Sequence, residues 1–142
     1  MPGTELYLPE DDGTVSDEAV LLRRIHPNNV AWDTNPLRPS SAAFTNTKDT
    51  LKMSVYIEED LAKNGLGAEA ALEDKSDHGL VGFTAGFVRS LGQRVVRAEG
   101  EGKPPGHANV VGVKDRKKKE AFHGPLTRAA QWVVQPPPRQ RS

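Results

Sequence analysis

Cysteine is absent from the 142-residue chain, so disulfides and thiolate metal sites are excluded and no oxidising compartment is required. Aromatic residues make up only 6% of the sequence, and no apolar run approaches the roughly 20 residues that a membrane-spanning helix needs. The N-terminus also lacks the basic start and the apolar run of a secretory signal. These absences predict a soluble, cytoplasmic protein that does not contact the membrane.

The chain is poor in apolar residues as well. Hydrophobic residues account for 36% of it, beside 11 prolines and 13 glycines, which is below the usual apolar share of a globular domain. A chain of this length suits one domain, so we expect one small core with irregular loops around it. The predicted organisation is an acidic arm (1–19), an α+β domain (20–134) and a Pro-rich basic tail (135–142).

The net charge is zero, but the two signs are unevenly placed. Residues 1–20 hold six acids and neither Lys nor Arg, whereas residues 114–142 hold eight bases and two acids. Such runs are usually solvated faces, although opposite ends also attract each other within one chain or between two. The charge pattern therefore predicts a protein partner, or self-association, through the charged ends.

Alternation of apolar and polar residues predicts a sheet. In residues 51–57, Leu51, Met53, Val55 and Ile57 alternate with polar side chains, and a period of two places these four on one face. Further strands are predicted over residues 20–25, 80–88, 93–98 and 107–113, with a helix as the alternative for part of residues 80–91.

A C-terminal amphipathic helix is predicted to pack on this sheet. Pro125 suits the first position of a helix, and apolar residues follow at helical spacing. The stripe consists of Phe122, Leu126, Ala129, Ala130 and Val133. The predicted fold class is thus α+β: a sheet of four or five strands covered by the last helix, with a flexible acidic N-terminal arm and a Pro-rich tail.

Histidines and arginines at junctions between loops and strands are the main candidate site residues. His26 ends the first predicted strand and His107 begins a later one, and imidazoles exchange protons near neutral pH. Arg24 and Arg38 are the candidate phosphate-binding groups, because guanidinium groups bind phosphate with two hydrogen bonds. Ser41 is the candidate nucleophile. An ordinary structural role is the alternative for each, since His-Pro is a common end to a strand.

No metal and no cofactor is predicted. The four histidines have no short spacing of the kind that metal motifs show. The stretch EGEGKPPG, residues 99–106, fits neither a Walker loop nor the dinucleotide-binding pattern, because Pro104 stands where Ser or Thr is needed and the glycine spacing is wrong by one residue.

A basic segment is the candidate for nucleic-acid contact. Lys117, Lys118 and Lys119 would bind phosphates with a salt-dependent affinity. However, Asp115 and Glu120 flank them and no aromatic residue interleaves with them, so a solvated helix face is the alternative.

Five segments of the chain resemble a group of small uncharacterised bacterial proteins. The segments have the patterns R-x-H-P, R-P-S-S-x-A-F, S-V, A-G-F-x-R-x-L-G and G-H-A-x-V-x-G, and they lie at residues 24–27, 38–44, 54–55, 85–92 and 106–112. The resemblance implies a bacterial protein but no activity.

Two classes of function remain open from the sequence. The first is a non-enzymatic interaction module, an accessory subunit of a larger bacterial assembly, which the charged ends favour. The alternative is a metal-independent transferase or phosphodiesterase that acts on a nucleotide or RNA. In that hypothesis His26 and His107 form the proton-transfer pair, and Arg24 or Arg38 holds the phosphate.

Overall fold

The computed structural model describes residues 10–44, 52–98, 105–112 and 125–138. Eight strands lie in these ranges: β1 (Val20–Ile25), β2 (Val30–Ala31), β3 (Arg38–Pro39), β4 (Lys52–Ile57), β5 (Gly79–Thr84), β6 (Arg94–Arg97), β7 (His107–Val111) and β8 (Gln131–Val134). The helices are α1 (Glu58–Lys63), α2 (Ala85–Ser90) and α3 (125–129), with short 3₁₀ turns at Pro27–Asn29, Ser41–Phe44 and Ala68–Leu72.

One antiparallel sheet organises the domain. Its six strands lie in the order β6-β7-β4-β1-β5-β8, and β2 and β3 form a separate two-stranded ribbon. The predicted strand over residues 51–57 is confirmed for residues 52–57, where Met53, Val55 and Ile57 are buried on one face. Leu51 lies outside the described residues. The α+β class is therefore right, whereas the expected count of four or five strands is too low.

Each face of the sheet has its own apolar cluster. The larger one contains Leu21 and Ile25 of β1, and α2, α3 and the Ser41–Phe44 turn contribute to it. The smaller one contains Leu22 of β1 with Leu61 of α1 and Ala71 of the following 3₁₀ turn. Because neighbouring residues of a strand point to opposite faces, β1 is buried between two layers.

The predicted C-terminal amphipathic helix is only partly correct. Within the described residues the helix covers only residues 125–129, and Gln131–Val134 instead form β8 at the edge of the sheet. The β-branched and aromatic side chains of this segment suit a strand better than a helix. Gly79 permits the close approach, since a Cβ at that position would lie 2.6 Å from the Trp132 ring. Val133 consequently remains 44% exposed.

The prediction of one strand over residues 80–88 is also only half right. The strand ends at Thr84, whose hydroxyl accepts a hydrogen bond from the Phe87 amide at 3.2 Å and caps α2. A capping threonine supplies an acceptor for an amide that has no partner inside the helix, and this ends the alternating pattern.

The described part of the acidic arm, residues 10–19, packs on the domain. Val15 is buried, and the Asp12 amide donates to the Val95 carbonyl at 2.8 Å beside β6. Arg89 of α2 pairs with the carboxylates of Asp11 and Asp17 at 3.1 and 2.8 Å. Three acids of this segment, Asp11, Asp12 and Asp17, thus pair with arginines of the same domain.

Candidate functional site

The sheet splits between β1 and β4. These neighbouring strands pair only at Leu21 with Ile57 and at Leu22 with Tyr56, whereas β1 pairs with β5 over all six of its residues. Beyond Leu22 the two strands therefore separate, and the gap between them opens into a cleft.

Arg23 bridges this gap. Its Nε donates to the Ala43 carbonyl at 3.0 Å and its Nη1 to the Ser54 carbonyl of β4 at 2.8 Å. Among the described residues Arg23 forms no ion pair with a carboxylate. Burial, with a smaller effect of the neighbouring Arg24 charge, lowers the pKa of Arg23 to about 10. The guanidinium remains protonated at neutral pH, so the cleft contains a poorly compensated positive charge.

The cleft has a volume of about 220 Å³ and is predominantly polar. It is lined by Arg23, Arg24, His26, Asn29, Ser54, Tyr56, Glu73 and His78. The lining therefore combines two guanidinium groups, two imidazoles and one carboxylate, which is a set of side chains suited to an anionic, hydroxylated ligand.

Arg24 occupies the opposite wall with Glu73. Its Nη1 donates to the Glu73 carboxylate at 2.8 Å, and both side chains are partly exposed. Tyr56 is buried beside this pair, and burial together with the Glu73 carboxylate raises the pKa of its hydroxyl. The Tyr56 hydroxyl is thus a permanent proton-bearing donor in the physiological pH range.

Two histidines meet at the rim of the cleft. The ring centroids of His26 and His78 are 4.8 Å apart, and the planes cross at 77°, so the edge of one ring faces the other. The next pair in the register of β1 and β5 after Ile25 and Gly79 is residues 26 and 78, which explains why these two side chains meet. His26 is exposed, whereas the side chain of His78 is only 10% exposed.

Local hydrogen bonds give the two imidazoles complementary proton positions. His26 Nδ1 accepts from the Asn28 amide at 3.0 Å, so in the neutral ring the proton lies on Nε2. His78 Nδ1 lies 2.8 Å from the Asp77 carboxylate, and that hydrogen bond lowers the pKa of Asp77 from its ordinary 3.8. An ionised carboxylate only accepts, so Nδ1 of His78 carries the proton and its Nε2 is the basic nitrogen.

The structure brings together some of the predicted site residues. Arg24 and His26 line the cleft, whereas His107 does not. His107 begins β7, where its Nδ1 contacts the Ala98 carbonyl at 2.8 Å and its ring lies 5.3 Å from that of Tyr56. His107 thus lies behind the cleft wall, and the imidazole that contacts His26 is His78.

Arg38 and Ser41 lie elsewhere. The Arg38 guanidinium donates to the Thr127 carbonyl and so ties β3 to α3. Ser41 begins the Ser41–Phe44 turn, and its side chain lies outside the described residues. Arg38 does not line the cleft. Lys117, Lys118 and Lys119 also lie outside the described residues.

Six lining residues were not selected from the sequence: Arg23, Asn29, Ser54, Tyr56, Glu73 and His78. The doublet Arg23-Arg24 before a His-Pro pair was the available signal for Arg23. For His78 no local signal exists, because it meets His26 only through the pairing of β1 with β5. The two histidines are 52 residues apart in the sequence. Glu73 and Tyr56 likewise reach the cleft only through the tertiary fold.

A second, larger groove of about 450 Å³ lies beside β8 and is predominantly apolar. Its lining includes Phe87, Trp132 and Val133, and Glu58 is the one charged side chain that the described residues contribute to it. Within the described residues no group of three His, Asp or Glu side chains is arranged to hold a metal ion. No helix in the same residues is long and apolar enough to cross a membrane. The smaller polar cleft is therefore the candidate functional site.

Comparisons of the chain with known protein families, with curated proteins and with solved structures find no match. The chemistry of the cleft is accordingly the basis for the function proposed below.

Proposed function

We propose that the protein binds a phosphate ester of a nucleotide or RNA in this cleft and acts on it as a metal-independent transferase or phosphodiesterase. The observation that carries the proposal is Arg23, a partly buried cation with carbonyl partners but no carboxylate partner among the described residues. A buried charge without a counter-ion is costly, and an anionic ligand would supply the missing partner.

Binding would use the arginines as phosphate donors. Each guanidinium has five N–H donors, and Arg23 uses two nitrogen atoms on carbonyls, so further donors remain for phosphate oxygens. Asn29 and Ser54 lie in the same lining and supply uncharged polar groups for the rest of the ligand.

Proton transfer would use the contact between His26 and His78. The basic Nε2 of His78 takes the proton from a water molecule or an acceptor hydroxyl, and the oxygen of that water or hydroxyl forms a bond to phosphorus. The bond from phosphorus to the leaving oxygen breaks, and a proton from the imidazole pair returns to that oxygen.

The interaction-module hypothesis has less support from the geometry. It depends on charged ends that are available to a partner, yet Asp11, Asp12 and Asp17 contact arginines or backbone groups of the same domain. The interaction module remains a prediction for the residues outside the described ranges, and so does nucleic-acid contact through Lys117–Lys119.

Replacement of Arg23 by methionine tests the binding step. Arg23→Met keeps much of the side-chain volume and removes the charge, and we expect the affinity for ribose 5-phosphate to fall about 10- to 100-fold, because charge-assisted hydrogen bonds are the strong ones. Isothermal titration calorimetry of the full chain in EDTA measures this change, and circular dichroism verifies the fold.

The matched control is Arg128→Gln, which removes an exposed arginine outside the cleft lining. It should leave the affinity unchanged within about twofold, apart from a small effect of net charge. Equal losses in both variants, or no binding by the wild type, would contradict the proposal.

A further inference from the structure

The turn that carries Glu73 has an unusual backbone. Glu73 ends the Ala68–Leu72 turn with φ 50° and ψ 44°, and Asp74 follows with φ 66°. Two successive residues other than glycine in the left-handed region are uncommon, and such outliers often accompany functional sites.

The turn places the Glu73 carboxylate on the wall of the cleft. Its Oε2 accepts from Arg24 Nη1 at 2.8 Å, and the same nitrogen lies 3.5 Å from the Leu72 carbonyl at the end of the turn. The side chains of Arg24 and Glu73 are 30% and 23% exposed, so this ion pair is partly shielded from water. A partly shielded carboxylate repels a second anion more strongly than a carboxylate at the surface does.

The charges of the cleft are therefore unequal on its two sides. Glu73 compensates the charge of Arg24, whereas the partners of Arg23 within the described residues are carbonyl groups. One anionic group fits beside Arg23, and a second one near Arg24 would meet the Glu73 carboxylate. A carboxylate has several acceptor sites, so Glu73 can accept from a ligand hydroxyl while it pairs with Arg24.

The geometry points to Glu73 as the residue that determines ligand specificity, selecting a sugar monophosphate over a polyphosphate. The phosphate lies against Arg23, and a sugar hydroxyl donates to Glu73. A cleft of about 220 Å³ is smaller than typical drug-sized pockets, which agrees with a ligand portion the size of one sugar phosphate. This inference rests on the proposed function, because it assigns the ligand class of the same cleft.

The test compares ribose 5-phosphate, inorganic phosphate and pyrophosphate by calorimetry on the full chain. We expect the wild type to bind ribose 5-phosphate about tenfold tighter than either inorganic ligand. Glu73→Gln removes the carboxylate charge and retains an amide oxygen, so pyrophosphate should bind about tenfold tighter to this variant than to the wild type. The affinity of this variant for ribose 5-phosphate should rise less than about threefold. The loss of the carboxylate charge weakens the contact with the sugar hydroxyl, and this offsets the reduced repulsion of the ligand's phosphate.

Glu69→Gln is the matched control, since it makes the same change of charge at an exposed position outside the cleft lining. It should leave the ratio of the three affinities unchanged. If Glu73→Gln changes the pyrophosphate affinity no more than Glu69→Gln does, or if the wild type binds all three ligands equally, the inference is wrong although phosphate binding stands. If the wild type binds none of them, the proposed function itself fails, and the inference fails with it.

Discussion

Replacement of His78 by glutamine is expected to lower kcat on a ribonucleotide phosphodiester by about 100-fold or more. General acid–base catalysis by a positioned side chain contributes about 10²- to 10⁴-fold, and His78 supplies the basic nitrogen of the histidine pair. Glutamine retains hydrogen-bonding groups but does not exchange a proton near neutral pH. The affinity for ribose 5-phosphate should change by less than about threefold, because Arg23 makes the charged contact with phosphate.

The measurement is the turnover of a dinucleotide substrate by the full chain in EDTA, across pH 5 to 9. In the wild type turnover should depend on pH, because an imidazole exchanges a proton in the reaction, and in the variant this dependence should weaken. Asp77→Asn is the companion variant: it removes the carboxylate acceptor but keeps an amide oxygen at the same place. It should reduce kcat less than His78→Gln, because Asp77 acts through the ring that it orients. Unchanged turnover in His78→Gln would remove this imidazole from the mechanism.

Phe44→Ala is expected to destabilise the domain by about 3–5 kcal/mol, the usual cost of deleting a large core side chain. Phe44 is fully buried, and its ring lies edge-on to that of Phe83 with centroids 6.1 Å apart. The effect should extend to the cleft, because the preceding residue, Ala43, supplies the carbonyl that holds Arg23. We therefore expect a weaker affinity for ribose 5-phosphate even under conditions where the variant is still folded.

Denaturant unfolding followed by circular dichroism measures the loss of stability. Leu66→Ala is the control, since Leu66 is 37% exposed and a surface substitution usually changes stability by less than about 0.5 kcal/mol. A loss below about 1 kcal/mol for Phe44→Ala would show that the packing around this ring is not the core described above.

The parts of the fold that could be predicted are those that a local pattern determines. The alternation of Met53, Val55 and Ile57 was sufficient for β4, because one buried face imposes a period of two. The same reasoning did not work for residues 130–134. There the few apolar residues fit the period of a helix as well as that of a strand, and the edge of β5 was available for pairing.

The site was predictable only where its residues are adjacent in sequence. Arg24 and His26 follow from the segment RRIHP, since a strand that ends in His-Pro brings polar side chains to a junction with a loop. His78 and Glu73 lie about 50 residues further on, and they reach the cleft through the register of β5 and the left-handed turn. Neither the register nor the turn has a local signature in the sequence, so the partner of His26 was expected to be His107.

The opening between β1 and β4 could not be predicted from a local sequence pattern either. Both segments have the composition of strands, and nothing in either indicates that their pairing stops after two residue pairs. Arg23 distinguishes this boundary: its partly buried guanidinium donates to the β4 backbone at Ser54, where β1 and β4 no longer pair. The side chain of Arg23 thus links β1 to β4 where the backbone hydrogen bonds between these strands are missing.

The most direct test of the central claim is a phosphate titration of the full chain followed by NMR of the arginine and histidine side chains. The account predicts that Arg23 Nε–H and the imidazoles of His26 and His78 shift with one common dissociation constant, while Arg128 does not respond. Shifts confined to other basic residues, with Arg23 and both imidazoles unaffected at saturation, would contradict it.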